Sequence, residues 1–408
     1  MVLGPSPAPV PSAPQTDRAE PTMTDDPISP SMALLPAGLR DLLPPDAEHE
    51  ARVVGRLMKE FTRHGYERVK PPLIEFEEGL LSGPGRALAK QTFRLMDPIS
   101  QQMMGVRSDM TLQVARIAAT RMPKSPRPLR LSYAGQVLRV KGTQLRPERQ
   151  FGQVGVELIG GMQVEADAEV VLLAASALAA VGADGVTIDL TVPTLVPTVC
   201  RALNLSEAET RCVRDALDRR DTAAVAAIGG PAGDLLVRIM AAGGPAAAAV
   251  AALSAVDLPT VAEPDRWRLT EVVKLLTAAA PHLNLTIDPV EQRGFEYQTG
   301  LSFTIFARGV TGELGRGGRY RSGGDGEPAT GFTLYTDTVL RAIPGPPPPR
   351  RILLPHGTPY AEGARLRDEG WQTVAVLEPG ADLSAEARRQ GCGHLWAGGR
   401  IQEIQDRP

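Results

Sequence analysis

Two strand-like runs separated by a short basic loop restrict the folds open to this chain more than any other feature. The runs are Arg130–Val140 and Gln150–Ile159, and the loop between them is Lys141–Arg149. Long strand patterns with so short a connection predict an antiparallel hairpin. The chain has 408 residues, which is too long for one compact core, so we expect the hairpin to belong to one of two or three domains.

Helix and strand patterns surround the hairpin. Apolar residues at helical spacing predict helices over Asp46–His64 and Gln163–Val181. Shorter strand patterns occupy Tyr66–Glu75, Val186–Val192, Leu301–Ala307 and Gly331–Leu334. This order, with the hairpin near its centre, predicts an α+β core in which an antiparallel sheet is flanked by helices.

Composition divides the chain into segments. Residues 1–31 are rich in Pro, Ala, Ser and Thr and bury too little apolar surface to offset the entropy of ordering, so we expect a disordered tail. Met23 and Met32 are both candidates for the start of the protein. Residues 32–343 form the core, with an Ala-rich helical insertion at about 200–284 that holds a capping-box sequence at Ser206–Glu209. Residues 344–350 form a stiff Pro-rich linker, and residues 351–408 alternate strands and helices as in a small α/β appendage.

Charge, cysteines and hydropathy exclude several classes of protein. The net charge of -3 gives no overall basic field of the kind that attracts nucleic acid. Cys200, Cys212 and Cys392 are too widely spaced for a metal-ligand motif or a disulfide framework, so we expect no metal, no cofactor and a reducing cytoplasmic location. No apolar run approaches the roughly 18 residues of a membrane span, and the N-terminus lacks the pattern of a signal peptide.

Two polar segments near the hairpin have the residue types of a binding site. Arg107–Thr111 stands directly before a helix pattern, where Asp109 either caps that helix or faces a ligand. On the returning hairpin strand, Gln153 and Glu157 are spaced to lie on one face. That face is either an exposed edge or an inward surface, and buried polar groups on an inward surface need partners.

A third polar segment is rich in glycine and lies nearer the C-terminus. It comprises Glu291–Gly300 and Gly315–Tyr320, and no helix pattern follows the glycines, so a phosphate-binding loop is not indicated. The segment is either a flexible turn between strands or a place where the backbone packs closely beside a small ligand. We favour close packing, with Arg293 and Tyr320 as side-chain contacts.

Seven segments in order resemble the core of histidyl-tRNA synthetase, a class II aminoacyl-tRNA synthetase, over residues 36–343. They include the three class II motifs, the segment that holds the histidine ammonium and two histidine-specific motifs. The segments read PAGLRDLLP (36–44), GYERVKPPLIE (65–75), GVRSDMT (105–111), LSYAGQVLRV with RQFGQVGVELIG (131–140 and 149–160), RGFEYQTG (293–300), GRGGRY (315–320) and GFTLYTDTVLRAI (331–343). Seven ordered segments are more specific than any one of them.

The resemblance also shows which nucleotide-binding residues are absent. The second motif of the synthetases needs an arginine and, two residues on, a glutamate that reaches adenine; Arg139 is present, but Lys141 replaces the glutamate. The third motif needs an arginine on the nucleotide phosphates, and Thr338 replaces it. Loss of such charge stabilisation lowers rates by orders of magnitude, so we expect no adenylate formation and no catalytic residues. The acid that follows the glycine-rich Arg-Tyr pair is replaced by Arg321.

The amino-acid pocket of the family is better retained. The resemblance implies that histidine contacts a set of acidic, amide, basic and aromatic side chains: Asp109, Thr111, Arg139, Gln153, Glu157, Arg293, Tyr297 and Tyr320. Charge-assisted bonds of about 1.5–3 kcal/mol each would give micromolar affinity if three or four form. Gln298 replaces the second tyrosine of the family's Tyr-Tyr pair and alters the end of the pocket that receives the ring.

A synthetase-like core without activation chemistry resembles the regulatory subunits of ATP phosphoribosyltransferase, which act in the first step of histidine biosynthesis. The resemblance implies a non-catalytic subunit that binds L-histidine and confers feedback inhibition. It also implies a short-form catalytic ATP phosphoribosyltransferase as partner and a homodimer within a larger hetero-oligomer. The dimer interface is expected at Val69–Phe76 and the preceding helix.

Other functions stay open at the level of the sequence. An active histidyl-tRNA synthetase would need Lys141 and Thr338 to be tolerated, and its tRNA could contact the basic stretch Arg121–Arg149, which has eight Lys or Arg residues and one Glu. That stretch equally suits a solvated hairpin face or a partner surface. A regulatory paralogue with a different client and a structural scaffold with a vestigial pocket are the remaining alternatives.

Overall fold

A computed structural model describes residues 34–81, 83–143, 146–292, 298–322 and 326–404. Within these ranges, residues up to 343 form an α+β core, as the sequence predicts. Its strands are β1 Glu67–Arg68, β2 Ile74–Phe76, β3 Arg94–Met96, β4 Met103–Val106, β5 Leu129–Leu138, β6 Gln150–Ile159, β7 Val186–Thr191, β8 Gly244–Pro245, β9 Asn284–Ile287, β10 Gln298–Ala307, β11 Gly315–Arg321 and β12 Pro328–Tyr335.

The helices of the core lie before, between and after these strands. They are α1 Asp46–Arg63, α2 Glu77–Leu80, α3 Thr111–Thr120, α4 Val164–Val181, α5 Leu195–Ala202, α6 Glu207–Asp218, α7 Thr222–Ala226, α8 Gly230–Ala241, α9 Ala246–Ser254, α10 Glu263–Ala279 and α11 Thr336–Ala342. Short 3-10 helices occupy Gly83–Gln91 and Thr260–Ala262. Within the described ranges, no helix is both long and apolar enough to span a membrane.

The described strands of the core form one large sheet and one small sheet. The large sheet has the order β1-β5-β6-β12-β11-β10-β7-β9-β8, and the small one has the order β2-β4-β3. The predicted hairpin is confirmed: β5 and β6 pair antiparallel from Leu129 opposite Ile159 to Leu138 opposite Gln150. Strand β12 then pairs antiparallel with the other edge of β6, which places Gly331 opposite Glu157.

The two faces of strand β6 have different roles. Val154, Val156 and Leu158 point into the main apolar core, where α1 and α4 pack against the sheet. The alternate positions, which include Gln153 and Glu157, point to the opposite face, which is partly covered by α3. The period of two in the sequence therefore separates packing residues from polar residues along a single strand. This second face carries the candidate site.

The segment from Leu195 to Ala279 is helical and corresponds to the expected insertion. Helices α5–α10 occupy it, and its apolar side joins the main core. Helix α6 begins with the predicted capping box, in which the Ser206 hydroxyl accepts from the Glu209 N–H while the Glu209 carboxylate accepts from the Ser206 N–H. Such reciprocal capping satisfies two N–H groups that the first helical turn leaves free.

The C-terminal segment folds around its own small sheet. Residues 344–350 have no helix or strand. Beyond them the strands take the order β14-β13-β15-β16, with β14 and β15 parallel to β13. The elements are β13 Arg351–Leu354, α12 Tyr360–Asp368, β14 Gln372–Ala375, α13 Leu383–Arg389, β15 His394–Ala397 and β16 Arg400–Glu403. The predicted alternation of strands and helices is present, with one further antiparallel strand at the end.

Candidate functional site

A cavity of about 520 Å³ opens on the polar face of the large sheet. Its floor comes from β6, β10, β11 and β12, and its walls come from the start of α3 and the loop between β5 and β6. One end is acidic, and the other is basic. We call them the acidic end, made by Asp109, Thr111, Tyr133, Glu157, Tyr320 and Thr333, and the basic end, made by Arg139, Lys141, Arg146, Glu148, Glu313 and Arg316.

The acidic end is organised around the carboxyl group of Glu157, whose side chain is 1% exposed. The Tyr320 hydroxyl donates to its Oε2 at 2.9 Å, and the Tyr133 hydroxyl donates to its Oε1 at 3.2 Å. Tyr133 also lies 2.6 Å from the Thr333 hydroxyl and 3.2 Å from the Thr111 hydroxyl. A buried polar group of this kind is stabilised only when its partners are present, and here strands β5, β11 and β12 and helix α3 each contribute one to the network around Glu157.

The pKa of Glu157 is raised to about 8, mainly by burial and also by the nearby Asp109 carboxylate, against the lowering effect of the hydrogen bonds from Tyr320, Thr111 and Tyr133. Burial also raises the pKa of Tyr133 well above its ordinary value. The acid at the bottom of the cavity is therefore predominantly protonated at neutral pH until a cationic or hydrogen-bonding ligand stabilises its charge. A shift of this kind, in a cavity, is typical of functional sites.

Gly155 and Gly331 have no side chains, and this leaves room for Tyr133 and Glu157. A side chain at Gly331 would overlap the Glu157 carboxyl group, and one at Gly155 would overlap the Tyr133 hydroxyl. The Tyr133 ring and the Glu157 side chain can therefore lie against the sheet backbone. Both glycines lie outside the glycine-rich segments singled out in the sequence, and here the backbone approaches protein side chains. Gly315–Arg321 itself is a central strand, so the alternative of a flexible turn for that segment is wrong.

Asp109 lies just before α3 and lines the cavity, and whether it contacts a ligand stays a prediction. Its Oδ1 accepts from the Thr111 N–H at 2.9 Å, at the first residue of α3, and its Oδ2 accepts from the Gln153 amide at 2.9 Å. The side chain is half-buried and lines the cavity. A carboxylate held on both oxygens at a helix N-terminus is fixed in orientation and lies in a favourable field. It can still meet a cation, because each oxygen can accept more than one bond.

Gln153 lies behind the cavity rather than in its wall. Its side chain is fully buried, donates to Asp109 and accepts from the Met110 N–H at 2.9 Å. This placement corrects the expectation of direct ligand contact: Gln153 orients Asp109 and the start of α3. Its position follows from the register of β6. Gln153 lies four residues before Glu157 on the same face of the strand, where the N-terminus of α3 covers it.

The basic end contains arginines and two aromatic rings. The guanidinium of Arg146 lies 3.7 Å from the centre of the Tyr335 ring and 4.9 Å from that of Phe151. Arg139 lies 5.0 Å from the Phe151 ring and donates to the Ser108 carbonyl at 3.4 Å. Arg316 forms an ion pair with Glu313 at 3.2 Å. This end therefore has several cations, and much of its aromatic surface is already in contact with arginine.

The two replaced nucleotide positions are both in this region. Lys141 is exposed at the rim of the cavity. Thr338 is fully buried, and its hydroxyl donates to the Tyr335 carbonyl at 3.1 Å in the first turn of α11. Thr338 therefore uses its polar group to satisfy its own helix and presents no charge to a ligand. Arg321 is exposed and donates to the Gly326 carbonyl at 3.3 Å.

The predicted contacts can be divided by where they lie. Asp109, Thr111, Arg139, Glu157 and Tyr320 all line the same cavity, as does Gln298. Arg293 and Tyr297 lie outside the described residues. Sequence reasoning missed Tyr133, Thr333 and the pair of Arg146 with Tyr335. Tyr133 carried a usable signal, since it lies in the hairpin strand opposite Gly155. Among the described residues no group of His, Cys, Asp and Glu is arranged to hold a metal ion.

Comparison with known proteins identifies the family of the chain. The profile of the histidyl-tRNA synthetase family matches residues 38–339. The ATP phosphoribosyltransferase regulatory subunit of Paramagnetospirillum magneticum is 60% identical over 92% of this chain and 99% of its own length. The regulatory subunit of Rhodospirillum rubrum is 53% identical over 89% of this chain and 95% of its own.

Solved structures agree at the level of the fold. A protein of Bacillus halodurans described as an ATP phosphoribosyltransferase regulatory subunit/histidyl-tRNA synthetase superposes with a TM-score of 0.77 at 22% identity, covering 88% of this chain and 97% of its own. Histidyl-tRNA synthetase from a Nostoc species gives 0.73 at 18% identity, covering 89% and 90%. The chain therefore belongs to the family of ATP phosphoribosyltransferase regulatory subunits, built on the fold of histidyl-tRNA synthetase.

Proposed function

We propose that this chain is a non-catalytic regulatory subunit that binds L-histidine in the cavity and makes a short-form catalytic ATP phosphoribosyltransferase sensitive to it, at the first step of histidine biosynthesis. One observation carries the proposal: the acidic end is a complete network centred on Asp109 and Glu157, whereas Lys141 and Thr338 offer no equivalent of the charges that activate an amino acid. Binding without activation is what a sensor requires.

The acidic end suits the polar groups of a small amino acid. Asp109 is oriented for an ammonium group, and an ion pair in a partly buried cavity is stronger than one in water. Glu157 can exchange a proton or hydrogen bond with an imidazole, because its pKa of about 8 lies close to that of the ring. The ligand carboxylate would meet Arg139, with Arg293 a further candidate outside the described residues. No cofactor or metal is needed for this role.

The assembly follows from the same proposal. A homodimer formed through α1 and the segment from Val69 to Phe76 would join catalytic subunits in a larger cytoplasmic hetero-oligomer. Leu73, Ile74 and Phe76 support this interface, since all three are exposed large apolar side chains on the small sheet or beside it. Histidine binding would favour a less active state of the complex, so by linkage the substrates of the catalytic subunit would change histidine affinity.

The test uses both subunits together. The chain is co-expressed with the short-form catalytic phosphoribosyltransferase, and complex formation and phosphoribosyl transfer are measured with and without L-histidine. We expect a stable complex whose activity falls with histidine, and we expect Asp109→Asn to form the complex but to lose sensitivity. Absence of calorimetric heat from millimolar histidine added to the wild-type complex would refute the sensing role.

The alternative of an active histidyl-tRNA synthetase draws support from the cations of the basic end. Arg139, Arg146 and Arg316 all line the cavity and could meet phosphates. A histidine-dependent pyrophosphate exchange assay separates the two functions, because only a synthetase forms an adenylate. We expect no exchange above background. Clear exchange would replace the regulatory proposal by the catalytic one.

A further inference from the structure

Phe151 and Tyr335 form an aromatic corner at the basic end of the cavity. Their rings meet edge to face, with centres 5.7 Å apart and planes at 80°. Both residues line the cavity, and both are nearly fully buried. Two rings at right angles inside a cavity offer one face for stacking and one edge for contact, which is how proteins commonly hold a planar heterocycle.

This aromatic corner is filled by a side chain of the protein itself. The Arg146 guanidinium lies 3.7 Å from the Tyr335 ring centre and 4.9 Å from the Phe151 ring centre, and the residue is only 7% exposed. Arginine stacks on aromatic rings as a flat plate, so it occupies the volume that a planar ligand would take.

Charged and polar groups on two other elements hold Arg146 in place. Its Nε lies 3.3 Å from the Asp337 carboxylate at the start of α11, without hydrogen-bond geometry, and its terminal nitrogen donates to the Glu313 carbonyl at 3.2 Å. The Glu313 carboxylate lies 3.9 Å away. Withdrawal of Arg146 would leave Asp337 buried without this cation, and an uncompensated buried charge is costly.

We propose that Arg146 is a specificity-determining residue: it occupies the aromatic corner and thereby closes the basic end of the cavity to planar ring ligands such as nucleosides. The inference deepens the proposed function, on which it rests for the use of the acidic end. On this proposal the cavity favours a small ligand because Arg146 occupies the aromatic corner, and because Lys141 and Thr338 replace the family's adenine-contacting glutamate and phosphate-binding arginine.

The test compares adenosine binding to variants that empty the aromatic corner or keep it filled. Adenosine is uncharged, so its binding reports available space rather than the loss of a cation. Arg146→Ala empties the aromatic corner, and Arg146→Lys keeps a long cationic side chain there. In calorimetric titrations we expect no saturable adenosine binding to the wild type or to Arg146→Lys. We expect saturable adenosine binding to Arg146→Ala, at least about tenfold tighter than any weak binding to the wild type or to Arg146→Lys.

Two controls make the result decisive. Arg316→Ala removes another cation of the same cavity and leaves Arg146 over Tyr335, so it should gain no adenosine binding. L-Histidine is titrated into each variant separately, so that a failure of the histidine proposal shows as lost heat in the wild type and is distinct from the adenosine result. If Arg146→Ala is unfolded at the assay temperature, Arg146→Ser is used as a second variant that empties the aromatic corner. Wild-type protein that binds adenosine as tightly as Arg146→Ala, or a folded open variant that binds none, would overturn the inference.

Discussion

The two ends of the cavity differ in how their polar groups are satisfied. At the acidic end, Glu157 is bound by Tyr133 and Tyr320 from neighbouring strands, and Asp109 is held by Gln153 and its own helix. These contacts orient the acids and leave them facing the cavity. At the basic end, Arg146 contacts the aromatic rings and acids of its own surroundings. At one end the acids face open cavity, and at the other Arg146 fills the aromatic corner.

If the proposed regulatory role is right, this difference is how the fold of a synthetase would serve for binding without catalysis. Loss of a charge at Thr338 weakens nucleotide chemistry, but an open slot would still admit nucleotides. Occupation of the aromatic corner by Arg146 removes that possibility and adds cation–π and ion-pair contacts. The acidic end needs no equivalent change, because its network depends on strands β5, β6, β11 and β12 rather than on the basic end.

The largest effect that tests the comparison is the pH dependence of stability without ligand. Because burial raises the pKa of Glu157 to about 8, the folded chain binds a proton that the unfolded chain has released above about pH 4.5. The stabilising contribution of Glu157 is therefore fully present below its pKa in the unfolded chain. It is lost as the pH rises to its pKa in the folded chain, and the free energy of unfolding falls by on the order of 3 kcal/mol. Urea unfolding between pH 5 and pH 9 (about the range in which the change falls) should show this loss in the wild type and much less in Glu157→Gln. An equal loss of stability with pH in the wild type and in Glu157→Gln would contradict this prediction.

The second effect concerns the charge at the mouth of the acidic end. Asp109→Asn keeps the shape of the side chain and removes its charge, so histidine should bind roughly 10- to 150-fold more weakly. Asp97→Asn is the matched control, because Asp97 is a partly exposed acid outside the cavity whose carboxylate accepts from Ile99 and Ser100 of its own turn. Calorimetric titration measures both. Equal losses in the two variants would indicate a general effect of charge rather than a contact with the ligand.

The third effect separates the shape of Glu157 from its acidity. Glu157→Ala removes the acceptor for Tyr133 and Tyr320 and should weaken histidine binding about tenfold or more. Glu157→Gln retains an acceptor of the same size and should lose less. If both variants bind histidine as the wild type does, the ring of the ligand does not reach Glu157, and the orientation of the ligand must be different.

The smallest effect is expected at the residue that only positions another. Gln153→Ala leaves Asp109 in the cavity but removes the amide that holds its Oδ2. Histidine affinity should fall by less than about tenfold. The variant with both Gln153→Ala and Asp109→Asn should bind histidine nearly as well as Asp109→Asn alone does, because Gln153 acts through Asp109. A calorimetric double-mutant cycle measures this coupling. Additive losses would show that Gln153 contacts the ligand independently.

Periodicity and motif order predicted the hairpin, the helices at Asp46 and Gln163, and the polar face of β6 with good accuracy. They did so because these are local patterns whose consequences are fixed by backbone geometry. Tyr133 and Thr333 escaped prediction because their contact requires the sheet order β5-β6-β12, which depends on long-range pairing.

Arg146 escaped for a different reason. It belongs to the loop between β5 and β6, where no periodicity specifies direction, and its partners Asp337 and Glu313 come from distant parts of the chain. In the sequence it is one of eight basic residues in a stretch that suited solvent, a partner or nucleic acid equally well. Burial against Tyr335 is a property of the folded cavity and has no signature in the local sequence.

The most direct test of the account is a calorimetric titration of L-histidine into the isolated wild-type chain, without the catalytic subunit, in the absence and presence of millimolar ATP. The account predicts saturable histidine binding with the same affinity in both conditions, because the acidic end is complete and the basic end is closed. By linkage, a nucleotide bound in the same cavity would change histidine affinity. Lack of histidine binding, or an affinity that changes with ATP, would contradict the account.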